Sequence, residues 1–106
     1  MPDVVLLRES LPAFELSARF LEAASKGADV DLIVEGRRAA MLPGIARRLF
    51  PGTKLGVAAA AVGVPLFPKV MALFLQARQL GFTWNCRKVS GAREVIVELR
   101  RERTIG

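Results

Sequence analysis

Six basic side chains are the residues best suited to do chemistry on a partner: Arg37, Arg38, Arg47, Arg48, Lys88 and Arg93. Arginine presents a planar fork of donors that matches phosphate oxygens two at a time. Each phosphate neutralised on a nucleic acid releases counterions, so a group of such side chains is a backbone-binding device. Between Glu35 and Glu94 there is no acid, yet that stretch holds ten bases. The first 35 residues hold three bases against seven acids, and the last 13 hold three of each. The net charge of +6 is therefore concentrated in the middle of the chain. Segregation of this kind points to a polyanionic partner, RNA or DNA first. The competing reading is a solvated face whose charge is neutralised in space by Asp29, Asp31 and Glu35.

Other chemistries find less support. Asp29, Asp31 and Glu35 share one strand face, and clustered carboxylates can hold magnesium for phosphoryl transfer. No histidine is present and there is one cysteine. Zinc sites of the Cys/His type and histidine-based nucleophile systems are thereby excluded within one chain. Trp84 and Phe82 could stack on bases, but their alternation with polar neighbours assigns them to the core. Cys86 shares that inward face and reads as an inert buried thiol. Pro43-Gly44 could offer backbone amides to an anion, or simply turn the chain. The expectation is a binding protein with no catalytic residues, no metal, no cofactor and no small-molecule substrate.

These residues must be positioned by a fold of 106 residues, which is one domain. The 52% hydrophobic and 25% charged content belongs to a folded globule. Twelve of the 16 bases are arginine, a bias that a hot habitat can also produce. Val4 to Leu7 is a continuous apolar run and reads as a strand buried on both faces. Ser10 is placed to cap a helix from Ala13 to Lys26, whose polar stripe is Glu15, Arg19, Glu22 and Lys26. Asp29 to Glu35 alternates, with Val30, Leu32 and Val34 on one side. Arg37 to Phe50 reads as a helix restarted at Pro43-Gly44, with Ile45 inward and Arg47 and Arg48 outward; a strand over 38–42 before a short helix is the rival. Thr53 to Val64 reads as a third strand, Lys54 to Val57, trailing into alanines that would suit a helix on propensity alone. Phe67 to Leu80 reads as an apolar helix closed by Gly81, with self-association to cover its excess.

Phe82 to Val89 and Ala92 to Arg101 alternate on either side of Ser90-Gly91. A two-residue loop there places Phe82 opposite Leu99, Trp84 opposite Val97 and Cys86 opposite Val95, with Arg87 facing Glu94 and Lys88 facing Arg93. The order β-α-β-α-β-α-β-β, ending in a hairpin, predicts an α/β two-layer sandwich: a mixed sheet with helices on one face.

The opening strand, the Ala13 to Gly27 helix and the run Asp31-Leu32-Ile33-Val34-Glu35-Gly36-Arg37-Arg38 together resemble the start of the Alba family of archaeal chromatin and RNA-binding proteins. They are similar also to the C-terminal domain of bacterial translation initiation factor three. The resemblance covers about residues 4 to 57. It implies a small basic dimer that grips nucleic acid with a basic face and a β-hairpin arm, here Lys88 to Arg93. The paired lysines that Alba proteins carry near the N-terminus are absent, and the helix 67–80 has no counterpart in either family.

The sequence therefore leads to a cytoplasmic homodimer binding RNA or DNA by backbone contacts, with little sequence specificity. The alternative is a structural or interaction module that self-associates through the helix 67–80. The N-terminus lacks the basic start and apolar stretch of a signal peptide. The longest apolar piece, 55–67, falls short of the roughly 20 residues a membrane span needs.

Overall fold

The computed structural model describes residues 3–49, 52–89, 91 and 93–102. Strand β1 (Val4–Arg8) leads to helix α1 (Ala13–Ser25) and strand β2 (Asp29–Glu35). A 3-10 turn over Arg37–Met41 runs into α2 (Leu42–Arg48), followed by α3 (Lys54–Leu66) and α4 (Pro68–Gln79). The chain closes with the hairpin strands β3 (Phe82–Lys88) and β4 (Glu94–Arg101). The sheet order is β1-β2-β4-β3, with β1 parallel to β2 and the other neighbours antiparallel. This is the expected two-layer α/β sandwich on a mixed sheet, with helices on one face.

The alternation that made β2 and β4 legible also builds the core. Val30, Leu32 and Val34 interleave with Val95, Val97 and Leu99 on the inward face, all essentially inaccessible to solvent. Phe20 of α1 meets Phe82 at a centroid distance of 5.2 Å, and Phe74 of α4 stacks on Trp84 at 4.5 Å. Aromatic pairs at these separations add about 0.5–1.5 kcal/mol beyond their buried area. On α1 the two i,i+4 pairs form, Arg19 to Glu15 at 2.7 Å and Lys26 to Glu22 at 3.0 Å. The outward face of the sheet is open: Leu6 is 61% exposed.

Several expectations are corrected. Lys54–Val57 is the first turn of helix α3, not a third strand, so the element order is β-α-β-α-α-α-β-β with a 3-10 turn before α2. Thr53 caps that helix, its hydroxyl accepting from Gly56 N at 2.9 Å, and the alanines behind it follow their intrinsic preference. The rival strand at 38–42 does not form, and Pro43 sits in the first turn of α2, where its missing N–H is harmless. Strand β1 is an edge with Leu7 buried and Val4 and Leu6 exposed, so it is covered on one face only. Helix α1 begins after Pro12 without a side-chain cap, so Ser10 does not cap it.

The hairpin register is two residues longer than a two-residue loop allows. Trp84 pairs with Leu99, Cys86 with Val97, Phe82 with Arg101 and Lys88 with Val95. Val89 N donates to Glu94 O at 3.1 Å, leaving a four-residue connection. A slip of two preserves which face every side chain occupies. Arg87 consequently faces Ile96 rather than Glu94, and Lys88 does not face Arg93. Ser90 and Ala92 of the arm tip lie outside the described residues, as does Phe50.

Candidate nucleic-acid interface

Strand β2 ends at Glu35, and Gly36 takes a φ of 107° to swing the chain into the 3-10 turn. That conformation is open to glycine and strained for other residues. The N–H of Gly36 donates to Arg93 O at 2.9 Å. This one bond ties the start of the 3-10 turn to the base of the hairpin. Arg37 on the turn, Lys88 at the end of β3 and Arg93 before β4 then line a common cleft of about 370 Å³, which Ala40 and Val95 also border. Glu94 is the one carboxylate on its wall. Arg38, next along the turn, is exposed.

Arg47 and Arg48 are placed elsewhere. Both are exposed at the C-terminal end of α2, where a cation is favoured by the helix dipole. Arg48 Nη1 donates to Gly44 O at 3.0 Å. Arg47 lines a second hollow along β3 with Arg78, Trp84 and Asn85, and with the carboxylate of Glu102. The six bases thus fall into a group of three at the hairpin end, the adjacent Arg38, and a pair at the end of α2. Arg78 joins Arg47 in the hollow along β3. It is one of the ten bases of the acid-free stretch, but as an isolated base on an apolar helix nothing in its spacing set it apart.

None of the six makes an ion pair with a carboxylate among the described residues. The acids are engaged by bases mostly from outside the basic stretch. Glu35 pairs with Arg8, and Asp31 with Arg100 at 2.8 Å. Arg100 also reaches Glu98 at 3.4 Å, while Arg87 lies 4.0 Å from Glu98. Lys69 is 4.0 Å from Glu9. Asp29 is buried and accepts from Arg101 N at 3.0 Å. Asp29, Asp31 and Glu35 therefore serve the sheet, and no group of acids among the described residues could hold a metal ion.

The remaining candidates are structural. Phe82 is buried, and half-buried Trp84 donates its Nε1–H to Ala46 O at 3.2 Å. Cys86 is half-buried, and burial pushes its thiol up to about 11. It is almost wholly protonated at neutral pH, a poor nucleophile. No described helix is long and apolar enough to cross a membrane. Searches of protein-family models, curated proteins and solved structures find no match to this chain.

Proposed function

We propose that this chain binds RNA or DNA through the phosphate backbone, anchored in the cleft of Arg37, Lys88 and Arg93. The observation that carries the reading is the convergence of three bases, from segments some fifty residues apart, around one hollow with no ion-paired acid. Three like charges around one hollow repel one another, with Glu94 the one carboxylate on its wall, and an anion entering the hollow relieves that repulsion. A phosphate entering the cleft would meet two guanidinium forks and an ammonium group, the geometry that favours charge-assisted hydrogen bonds. Arg38 lies one residue beyond, and Arg47 and Arg48 offer contacts farther along the strand.

No aromatic side chain among the described residues lines the cleft, so it provides no stacking platform, and affinity carried by phosphate contacts is insensitive to sequence. The resemblance to Alba proteins supports the same assignment for the 88–93 hairpin. A cytoplasmic home, where both polymers occur, goes with it. The test is competition: unrelated duplexes and structured RNAs of equal length should displace a labelled oligonucleotide equally. Charge reversal at Arg37 and Arg93 together should weaken all of them at least tenfold. Retained affinity in that variant, or strong preference for one sequence, counts against the cleft.

A further inference from the structure

Helix α3 leaves an apolar face without an occupant. From Leu55 to Leu66 it carries no charged or hydrogen-bonding side chain. It buries only Gly56, Ala59 and Gly63, while Leu55, Val57, Val62 and Val64 are between 46% and 70% exposed. Val57 and Val64, seven residues apart and so on one side of α3, join Leu75 of α4, 58% exposed, in a patch of on the order of 300 Å² of apolar surface, a size that on a monomer marks an interaction site. Leu55 and Val62 lie on the opposite side of the helix. The excess apolar surface thus sits chiefly on α3, not on the helix 67–80, which buries Val70, Leu73, Phe74 and Ala77.

Beside this face runs a groove of about 320 Å³, walled by Val57, Ala60 and Val64 of α3 and bordered by Met71, Phe74 and Trp84. The small residues Gly56 and Ala60 keep it from filling. Its walls are two helices of 13 and 12 residues, roughly 20 Å long, which suits an amphipathic helix anchored at i, i+3 or i+4, and i+7.

The rim chooses the occupant. Arg78 lines the groove, Arg47 lines the adjoining hollow, Lys54 opens α3 and Arg48 closes α2. None of the four has an ion-paired carboxylate among the described residues, and Glu102 is the one acid in the adjoining hollow. A second copy of the chain would bring the same bases to this rim. Of its ten acids, Glu9, Glu15, Glu22, Asp31, Glu35 and Glu98 are already held by its own bases and Asp29 is buried, which leaves Asp3, Glu94 and Glu102 to meet them.

We propose that the groove between α3 and α4 docks an amphipathic helix of another protein whose apolar stripe is flanked by Asp or Glu. None of the groove's lining residues belongs to the cleft of Arg37, Lys88 and Arg93; Arg47 and Arg48 are the two bases that both readings use.

Trp84 is the sole tryptophan and lines the groove, so its fluorescence reports occupancy. The probe is a synthetic helical peptide of about 18 residues, roughly five turns, with Leu at heptad positions a and d and Glu on the flanks; the control carries Lys in place of Glu. The Glu peptide should shift Trp84 emission saturably, with a Kd on the order of 10 µM. Val57→Glu and Val64→Glu, both at exposed positions, should each weaken it at least tenfold while circular dichroism stays unchanged, and Arg78→Glu about fivefold. The Lys peptide should bind at least tenfold more weakly. The proposal is overturned if the Glu peptide gives no saturable response or the Lys peptide binds as well. It is equally overturned if sedimentation of the chain alone shows a dimer that Val57→Glu dissociates, since the groove would then belong to a second copy.

Discussion

Replacing Arg100 by methionine tests how the open sheet face holds its acids. Asp31 and Glu98 are register partners on neighbouring strands, so two carboxylates stand opposite one another. Arg100 bridges them, 2.8 Å from Asp31 and 3.4 Å from Glu98, and donates to the carbonyls of Val30 and Leu99 at 3.2 Å each. Methionine keeps the apolar stem and removes the charge. Two partly exposed ion contacts contribute at most about 1 kcal/mol each, and the bare like-charged pair adds a cost of up to about 1 kcal/mol. The expected loss is about 2 kcal/mol. With an m-value of about 1–2 kcal/mol/M for urea, the midpoint falls by about 1–2 M. Adding Asp31→Asn removes one of the two opposed charges and should recover about half of the loss. Urea titrations followed by Trp84 emission measure both. A midpoint change below about 0.3 M in the single variant, or no recovery in the double, would refute the reasoning.

Three further outcomes follow from the packing. Thr53→Ala should cost about 1 kcal/mol by removing the α3 cap, seen as a lower urea midpoint; no change would mean the hydroxyl does not hold the helix. A Cβ at Gly63 would lie 2.6 Å from Met71 Sδ and 3.0 Å from Ile45 Cγ2; crowding of about 1–3 kcal/mol is offset by about 0.5–1 kcal/mol of helix preference, so Gly63→Ala should lower stability by about 1 kcal/mol, and Met71→Ala in the same chain should reduce the crowding. Cys86 should resist iodoacetamide at pH 8 in the native protein and react on unfolding. Its folded pKa, about 11, lies above the ordinary 9.0, so its contribution to stability is complete below pH 9 and is lost as pH rises to about 11; reaction as fast as in urea would place the thiol in solvent.

The legible parts of the fold were those with a countable period. Val30, Leu32 and Val34 alternate, as do the residues of Phe82–Lys88 and Glu94–Arg101, and the glutamates of α1 stand four residues before their bases. Helix α3 was not legible because residues 55–66 are apolar on every side. With no polar stripe to count, Leu55-Gly56-Val57 imitates a strand, and only Thr53 and the alanines argue otherwise. The hairpin register was missed by two because both registers put Trp84 and Cys86 on the same face, so patterning cannot tell them apart. The candidate site was half legible. Charge segregation singled out the six bases, but which of them meet depends on the Gly36–Arg93 hydrogen bond, which links positions far apart in sequence. That bond groups Arg37 with Lys88 and Arg93, whereas Arg47 and Arg48 follow α2 toward β3.

The central claim is that the unpaired bases of the hairpin cleft act together on a phosphate backbone. Fluorescence anisotropy of a labelled duplex against salt concentration tests it most directly. With three phosphates neutralised in the cleft alone, log Kobs should fall with log[salt] at a slope of about −2.7 or steeper, and Arg37→Ala with Arg93→Ala should flatten the slope by about 2. No binding at low salt, or the same slope in both proteins, would contradict the account.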